Sequence, residues 1–153
     1  MGQVTHEQAN LVLRLYELRR EPRLREARAW FLAQFEASTP EESLRKYPPG
    51  SEENASARMV LSYWEMAAGL SNRGLMDDEL FFENSVEGWL VWDKVKALVS
   101  PQRAASKNPT YLAQLEKFAQ RFEAWRDRVA PGSLEAFHQA RANARRAAAK
   151  SAN

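Results

Sequence analysis

Residues 51–75 read SEENASARMVLSYWEMAAGLSNRGL, and this stretch predicts a long helix. Its end is marked by Gly74 with Leu75 just beyond it, which is the pattern of a left-handed helix terminus with its hydrophobic contact. The helix is therefore predicted from about Ser51 to Arg73, and it is the longest in the central part of the chain.

Most of the circumference of this predicted helix is apolar. On a helical wheel its apolar and aromatic side chains group together, and they are Met59, Val60, Tyr63, Trp64, Met66, Ala67 and Leu70. The polar strip is narrow and consists of Arg58, Ser62, Glu65, Gly69 and Asn72. A helix that is apolar on nearly every side must be covered by neighbours, so we expect it at the centre of a helical bundle.

Helix signals also dominate on both sides of this stretch. Thr5 and Gln8 have the spacing of a capping box, and the segment from Val86 to Val99 has a nearly all-round apolar patch. A long helix capped by Asn108-Pro109 is expected to carry a seam with steps of four and three, formed by Tyr111, Leu115, Phe118, Phe122, Trp125 and Val129. The prediction is an all-α, single-domain bundle of about six or seven helices over residues 1–139, followed by a frayed, basic Ala/Arg-rich tail over residues 140–153.

Composition restricts the classes of function. The chain has 153 residues, 44% hydrophobic and 27% charged, with no cysteine and two histidines. No apolar run approaches the ~20 residues of a membrane span, and the N-terminal residues lack the pattern of a secretory signal. These features argue against disulfide scaffolds, thiolate chemistry and membrane helices, and a cytoplasmic protein is expected.

Catalytic and metal-binding motifs are incomplete in this sequence. His6-Glu7 begins like the helical HExxH zinc motif, but Asn10 stands where the second histidine belongs. Glu135 and His138 have the spacing found in di-iron bundles, yet the second such pair is missing. Nucleophile elbows, P-loops and dinucleotide glycine patterns are also absent. We therefore expect no enzyme activity, no metal and no cofactor.

Charge is distributed unevenly along the chain. Residues 1–40 carry +1, residues 41–93 carry −7 and residues 94–153 carry +8, within a net charge of +2. The basic end suggests either nucleic-acid binding or internal attraction to the acidic middle, and the second is the simpler reading. The candidate basic patch is Arg141, Arg145, Arg146 and Lys150. The nearby aromatics lie on the predicted helix seam, which faces the core, so they are not expected to stack on bases.

One part of the sequence resembles a known family. The run Leu61-Ser62-Tyr63-Trp64-Glu65-Met66-Ala67 is followed by Arg73-Gly74-Leu75-Met76-Asp77-Asp78-Glu79-Leu80, and later by Trp92, Arg103, Tyr111 and Phe118. This order and spacing, over about Val60 to Trp125, resembles domain of unknown function 4760, a family of small bacterial helical proteins. The resemblance implies an α-helical domain without an assigned activity.

Two groups of residues are candidates for a site. The first is a buried polar cluster of Arg58, Ser62, Glu65 and Arg103, where an ion pair of Glu65 with Arg103 or Arg73 is favoured over a ligand-binding carboxylate. The second is the patch Trp89, Leu90, Val91 and Trp92, which covers all sides of one helix. Because the central helix already occupies the middle, part of this patch is expected to contact a second copy or a partner protein.

The sequence therefore favours a non-enzymatic protein-interaction or regulatory module, acting through a protein partner or as a homodimer. Nucleic-acid binding through the basic C-terminal third is the main alternative. Small-molecule binding near Glu65 is the second alternative.

Overall fold

The computed structural model describes residues 2–152, which contain eight helices and no strand. The helices are α1 (His6–Arg19), α2 (Pro22–Gln34), α3 (Pro40–Lys46), α4 (Glu52–Asn72), α5 (Asp78–Glu83), α6 (Val86–Ser106), α7 (Ala113–Val129) and α8 (Ser133–Ser151). The all-α prediction is confirmed. The predicted count of six or seven is slightly too low, since the described residues contain eight helices and α5 is separated from α6 at Ser85.

The chain forms two compact units rather than the single domain that we predicted. The first, unit 1, ends at Ala119, and the second, unit 2, begins at Gln120, within α7. In unit 2, Gly132 adopts a φ of 78° in the turn before α8. Residues 140–151, which were predicted to fray, belong to α8 and are largely exposed. Fraying of this segment stays a prediction.

Helix α4 lies at the centre of unit 1, as its sequence predicts. Ser51 caps its first turn by accepting a hydrogen bond from the Asn54 amide, at 3.1 Å. Val60 and Trp64 are almost completely buried, with 0% and 1% of their surface exposed, and α4 packs against α2 and α6. Gly74 has a φ of 74°, which confirms the predicted left-handed helix end.

The polar strip of α4 is more covered than its composition suggests. Met66, expected inside, is 45% exposed, whereas Gly69 in the strip is buried. The start of α7 covers one end of the strip, where the Asn72 side chain donates to the Gln114 carbonyl oxygen at 2.9 Å. This end is held by hydrogen bonds rather than by apolar packing, whereas Arg58 and Ser62 at the other end are exposed.

Helix α6 extends beyond the apolar segment Val86–Val99 and continues through Pro101 to Ser106. One predicted helix boundary is wrong. Helix α7 begins at Ala113 instead of next to Asn108-Pro109, because the Asn108 side chain stabilises a turn by accepting from the Thr110 amide, at 3.0 Å. Leu112, with a φ of 51°, then turns the chain into α7. Tertiary packing determines both the continuation of helix α6 through Pro101 and the left-handed backbone of Leu112. Local sequence patterns do not indicate either of them.

Candidate functional site

Glu65 does not form the ion pair that the sequence favoured. Its two carboxylate oxygens accept hydrogen bonds from the amides of Gln114 and Leu115, at 3.1 and 2.8 Å. Glu65 on α4 thus supplies acceptors to the first turn of α7, where a negative charge is favourable. The two predicted partners bind elsewhere, since Arg103 pairs with Glu116 at 2.8 Å and Arg73 donates to the Gly69 carbonyl oxygen at 2.9 Å.

Part of the predicted polar cluster does come together around a shallow cavity, but it is not buried as predicted, because Arg58 and Ser62 are exposed. Arg58, Ser62 and Glu65 line it together with residues 110–112 and Leu61, and its volume is about 320 Å³. Burial, and to a smaller extent the charge of Glu65, raise the pKa of Tyr111. Arg103 does not line this cavity, although its Nε donates to the Tyr111 carbonyl oxygen at 2.8 Å. Because Glu65 is engaged by two amides, this cavity offers a ligand few free polar groups.

The aromatic patch on α6 lies mostly inside the protein. Trp89 and Val91 are 2% and 0% exposed, and Leu90 and Trp92 are only partly exposed. The expectation that a partner covers this patch therefore does not hold for Trp89 and Val91, because this chain already buries them. Trp89 is covered even though α4 occupies the centre, which shows that the core extends from α4 to α6.

A charged cluster that the sequence did not reveal joins α2, α4 and α6. Arg28 and Glu87 form a bidentate ion pair with an Nε to Oε1 distance of 2.6 Å, and their side chains are 19% and 13% exposed. The Trp64 indole also donates to Glu87, at 3.2 Å, and the hydrogen bond to Glu87 raises the pKa of Arg28. The partners are 59 residues apart in the chain, so no local spacing could indicate the pair.

An apolar groove, the α1–α5 groove, lies beside this cluster and has a volume of about 510 Å³. Its lining comes from α1, α4, α5 and the residues just after α5, and consists of Ala9, Val12, Leu13, Leu15, Tyr16, Arg19, Tyr63, Leu80, Phe81, Asn84 and Ser85. Leu13 and Tyr16 on α1 remain 59% and 49% exposed. No local sequence pattern indicates this groove, because its lining residues come from segments that are far apart in the chain.

The Tyr63 side chain, which lines the groove, connects α1 to the rest of unit 1. Its hydroxyl donates to the Leu15 carbonyl oxygen at 2.7 Å, and burial raises the pKa of Tyr63 to about 12. Leu15 is the one fully buried residue that the described structure assigns to α1. Helix α1 is therefore held by a few contacts while one side of it stays open to solvent.

The polar groups of the groove are concentrated at one end. Arg19 packs its guanidinium over the rings of Trp64 and Tyr16, at 5.3 and 5.4 Å, and donates to the Asn84 carbonyl oxygen at 3.2 Å. Ser85 stands at the N-cap of α6, is 2% exposed and makes no capping hydrogen bond with its side chain. This end of the groove thus combines a cation, a hydroxyl and the N-terminus of a 21-residue helix.

The predicted basic patch lies on α8, in unit 2. Arg145, Arg146 and Lys150 are exposed, and the Arg141 guanidinium stacks on the Phe137 ring at 5.6 Å. Phe122 and Trp125 are buried, at 0% and 8% exposure. The basic side chains are thus accessible, whereas these two aromatic rings are not available for stacking on a base.

Within residues 2–152 no three histidine, aspartate or glutamate side chains come close enough to hold a metal ion. His6, Glu135 and His138, the residues of the incomplete metal motifs, are all exposed. None of the helices in this described range has the length and apolarity needed to cross a membrane.

Fold and site together define an all-helical protein with an apolar groove along its first helix. The chain belongs to the family described as Domain of unknown function (DUF4760), which matches residues 4–122. The match reaches far beyond the stretch from Val60 that carries the resemblance and includes every residue that lines the α1–α5 groove. No curated protein and no solved structure matches the chain.

Proposed function

We propose that this protein is a non-enzymatic regulatory module that acts by binding an apolar ligand in the α1–α5 groove. The observation that carries the proposal is the groove itself, about 510 Å³ in volume, with Leu13 and Tyr16 exposed at its rim. Small-molecule sites are typically apolar clefts of about 300 to 1,000 Å³ with a few polar groups that orient the ligand.

The shape of the groove favours an elongated ligand. The lining residues of α1 run from Ala9 to Arg19, which corresponds to roughly 15 Å of helix at 1.5 Å per residue. Apolar side chains occupy most of this length, and the polar groups lie at the Arg19 end. A ligand that lies along α1 would bury Leu13 and Tyr16 and would strengthen the attachment of α1, which rests on few contacts.

The groove is a better candidate than either of the sites considered from the sequence alone. The patch around Trp89 is mostly buried, and the Glu65 carboxylate is engaged by two amides. An exposed apolar surface that lies beside a cavity is, in contrast, a common mark of a binding site. A change in the order of α1 on binding would give the module a means of signalling to a partner protein.

The proposal is tested with the neutral fluorophore N-phenyl-1-naphthylamine, whose emission rises in apolar surroundings. Saturable binding with a stoichiometry of one is expected for the wild-type protein. Leu13→Glu places a charge at the rim of the groove and should weaken binding by tenfold or more. The matched control is Leu44→Glu, since Leu44 on α3 is 56% exposed and does not line the groove.

Two results would contradict this function. One is the absence of saturable fluorophore binding to the folded wild-type protein. The other is an equal loss of binding in the Leu13 and Leu44 variants, because a charge far from the groove should not affect it.

A second candidate function is nucleic-acid binding by unit 2. It is favoured by the accessible basic side chains of α8, since phosphate neutralisation needs only exposed cations. Titration of a fluorescein-labelled single strand at several salt concentrations tests it. Affinity that falls steeply with salt, and that Arg145→Gln/Arg146→Gln reduces, is expected, whereas affinity unchanged in that variant would refute it.

A further inference from the structure

The polar end of the α1–α5 groove has the properties of an anion site. Arg19, Arg28 and Glu87 lie near one another there, and these three groups leave one positive charge. Arg20 also stacks on the Tyr16 ring, at 5.7 Å, but does not line the groove. Glu87 is engaged by Arg28 in a bidentate ion pair, whereas Arg19 forms no ion pair within the described residues. The unmatched charge therefore belongs to Arg19, which lines the groove.

Ser85 adds a hydroxyl group to this end of the groove. Only 2% of its surface is exposed, it lines the groove, and its side chain makes no capping hydrogen bond to α6. A hydroxyl group can donate a hydrogen bond to a ligand that lies in the groove. Because Ser85 also precedes the first turn of α6, a negatively charged acceptor at this point would gain from the positive end of the helix dipole.

We infer that the groove binds a single-chain amphiphile, with its apolar chain along α1 and its carboxylate between Arg19 and Ser85. This inference rests on the proposed function, because it specifies the ligand of the same groove. The apolar part would contact Leu13, Tyr16 and Phe81, and the head group would accept charge-assisted hydrogen bonds from Arg19.

The chemistry of the head group is tested by comparing two probes with the same chain. Calorimetric titrations with dodecanoate and with dodecanol, both below the concentrations at which they aggregate, measure the anion preference directly. Wild-type protein should bind dodecanoate about tenfold more tightly, since one charge-assisted hydrogen bond contributes roughly that factor. Added sodium chloride should lower the affinity for dodecanoate and leave that for dodecanol unchanged.

Variants locate the head group. Arg19→Gln should abolish the preference for dodecanoate while dodecanol binding is retained, and Ser85→Ala should reduce the preference without removing a charge. Arg14→Gln is the matched control, because Arg14 lies on the same helix with a side chain that is 70% exposed and does not line the groove. If Arg19→Gln alters folding, as judged by its unfolding midpoint, Ser85→Ala still decides the position of the head group.

The possible outcomes separate the two proposals. Equal affinity for both probes, unchanged in the Arg19 and Ser85 variants, would overturn the anion site and leave the apolar groove intact. Failure of both probes to bind, or to displace N-phenyl-1-naphthylamine, would refute the proposed function as well. Binding to phosphatidylglycerol vesicles without binding of monomeric dodecanoate would also overturn the inference, because the ligand would then be a membrane surface.

Discussion

Replacing Gly88 by alanine is expected to destabilise the core between α4 and α6. A methyl group at this position would lie 2.8 Å from Cε3 of Trp64 and 2.9 Å from Cε1 of Phe118. Both distances are far below van der Waals contact, and both rings are buried, at 1% and 0% exposure. The rings cannot turn outward to relieve the overlap, so the helices must separate.

The size of the effect follows from two opposing contributions. Overpacking a core typically costs about 1 to 3 kcal/mol, and an overlap with two buried rings belongs in the upper half of that range, at about 2 to 3 kcal/mol. Alanine improves helix propensity over glycine by about 1 kcal/mol. The net loss should be about 1 to 2 kcal/mol in the free energy of unfolding. For a chain of this length that corresponds to a decrease in Tm of roughly 2 to 8 °C.

Urea denaturation followed by circular dichroism measures this loss, and Gly69→Ala is the matched control. Gly69 is also buried in a helix, but the nearest atom to an added methyl group is Nη1 of Arg73, at 3.0 Å. This atom is at the end of a flexible side chain, which can shift at the cost of its part-buried hydrogen bond to the Gly69 carbonyl oxygen. The Gly69 variant should therefore be unchanged or stabilised by about 0.5 to 1 kcal/mol. A Gly88 variant as stable as its Gly69 counterpart would show that α4 and α6 are not packed as closely as described.

Three further predictions concern polar contacts. Glu87→Gln leaves Arg28 buried without its counter-charge, so urea denaturation should show a loss of about 3 kcal/mol or more in the free energy of unfolding. Glu83→Gln, at an exposed position, is the control and should have little effect. Glu65→Gln weakens the cap of α7, so amide hydrogen exchange in residues 113–117 should accelerate, and a protection pattern like that of the wild type would argue against capping by Glu65. Burial raises the pKa of Tyr63 to about 12 from 10.0, so the folded state favours the neutral phenol. The stability that this neutral phenol contributes is present below pH 10 and is lost as the pH rises towards 12. Tyr63→Phe should remove this part of the alkaline dependence, and identical pH profiles for the two proteins in that window would contradict the assignment.

The sequence was most informative where a helix is apolar on many sides. The near-continuous apolar surface of α4, its start at Ser51 and its end at Gly74 all follow from local signals that tertiary packing did not override. Most of the seam of α7 was also predicted, since Leu115, Phe118 and Phe122 are each 0% exposed. Its two ends were wrong, because Val129 is 49% exposed and Tyr111 lies before α7. Periodicity identifies such faces because burial repeats with the turn of the helix.

The candidate site was harder to predict, because it depends on contacts between distant parts of the chain. Glu65 was singled out because it lies on an otherwise apolar helix, but its partners are backbone amides 49 and 50 residues away, which carry no sequence signal. Part of the Trp89 patch was expected to contact a partner. Periodicity shows that α6 is apolar on all sides, but it does not show how many helices of the same chain pack around α6. The α1–α5 groove arises from the incomplete cover of α1, which depends on where α5 lies.

Binding in the α1–α5 groove is tested most directly by nuclear magnetic resonance of the ¹⁵N-labelled protein during titration with N-phenyl-1-naphthylamine. The largest amide shift changes should fall in residues 9–19 and 80–88, which form or adjoin the groove lining. The Leu13→Glu variant should lose these changes, and the Leu44→Glu variant should keep them. Shift changes confined to the cavity beside Glu65 or to α8, or no changes at saturating fluorophore, would contradict binding in the groove.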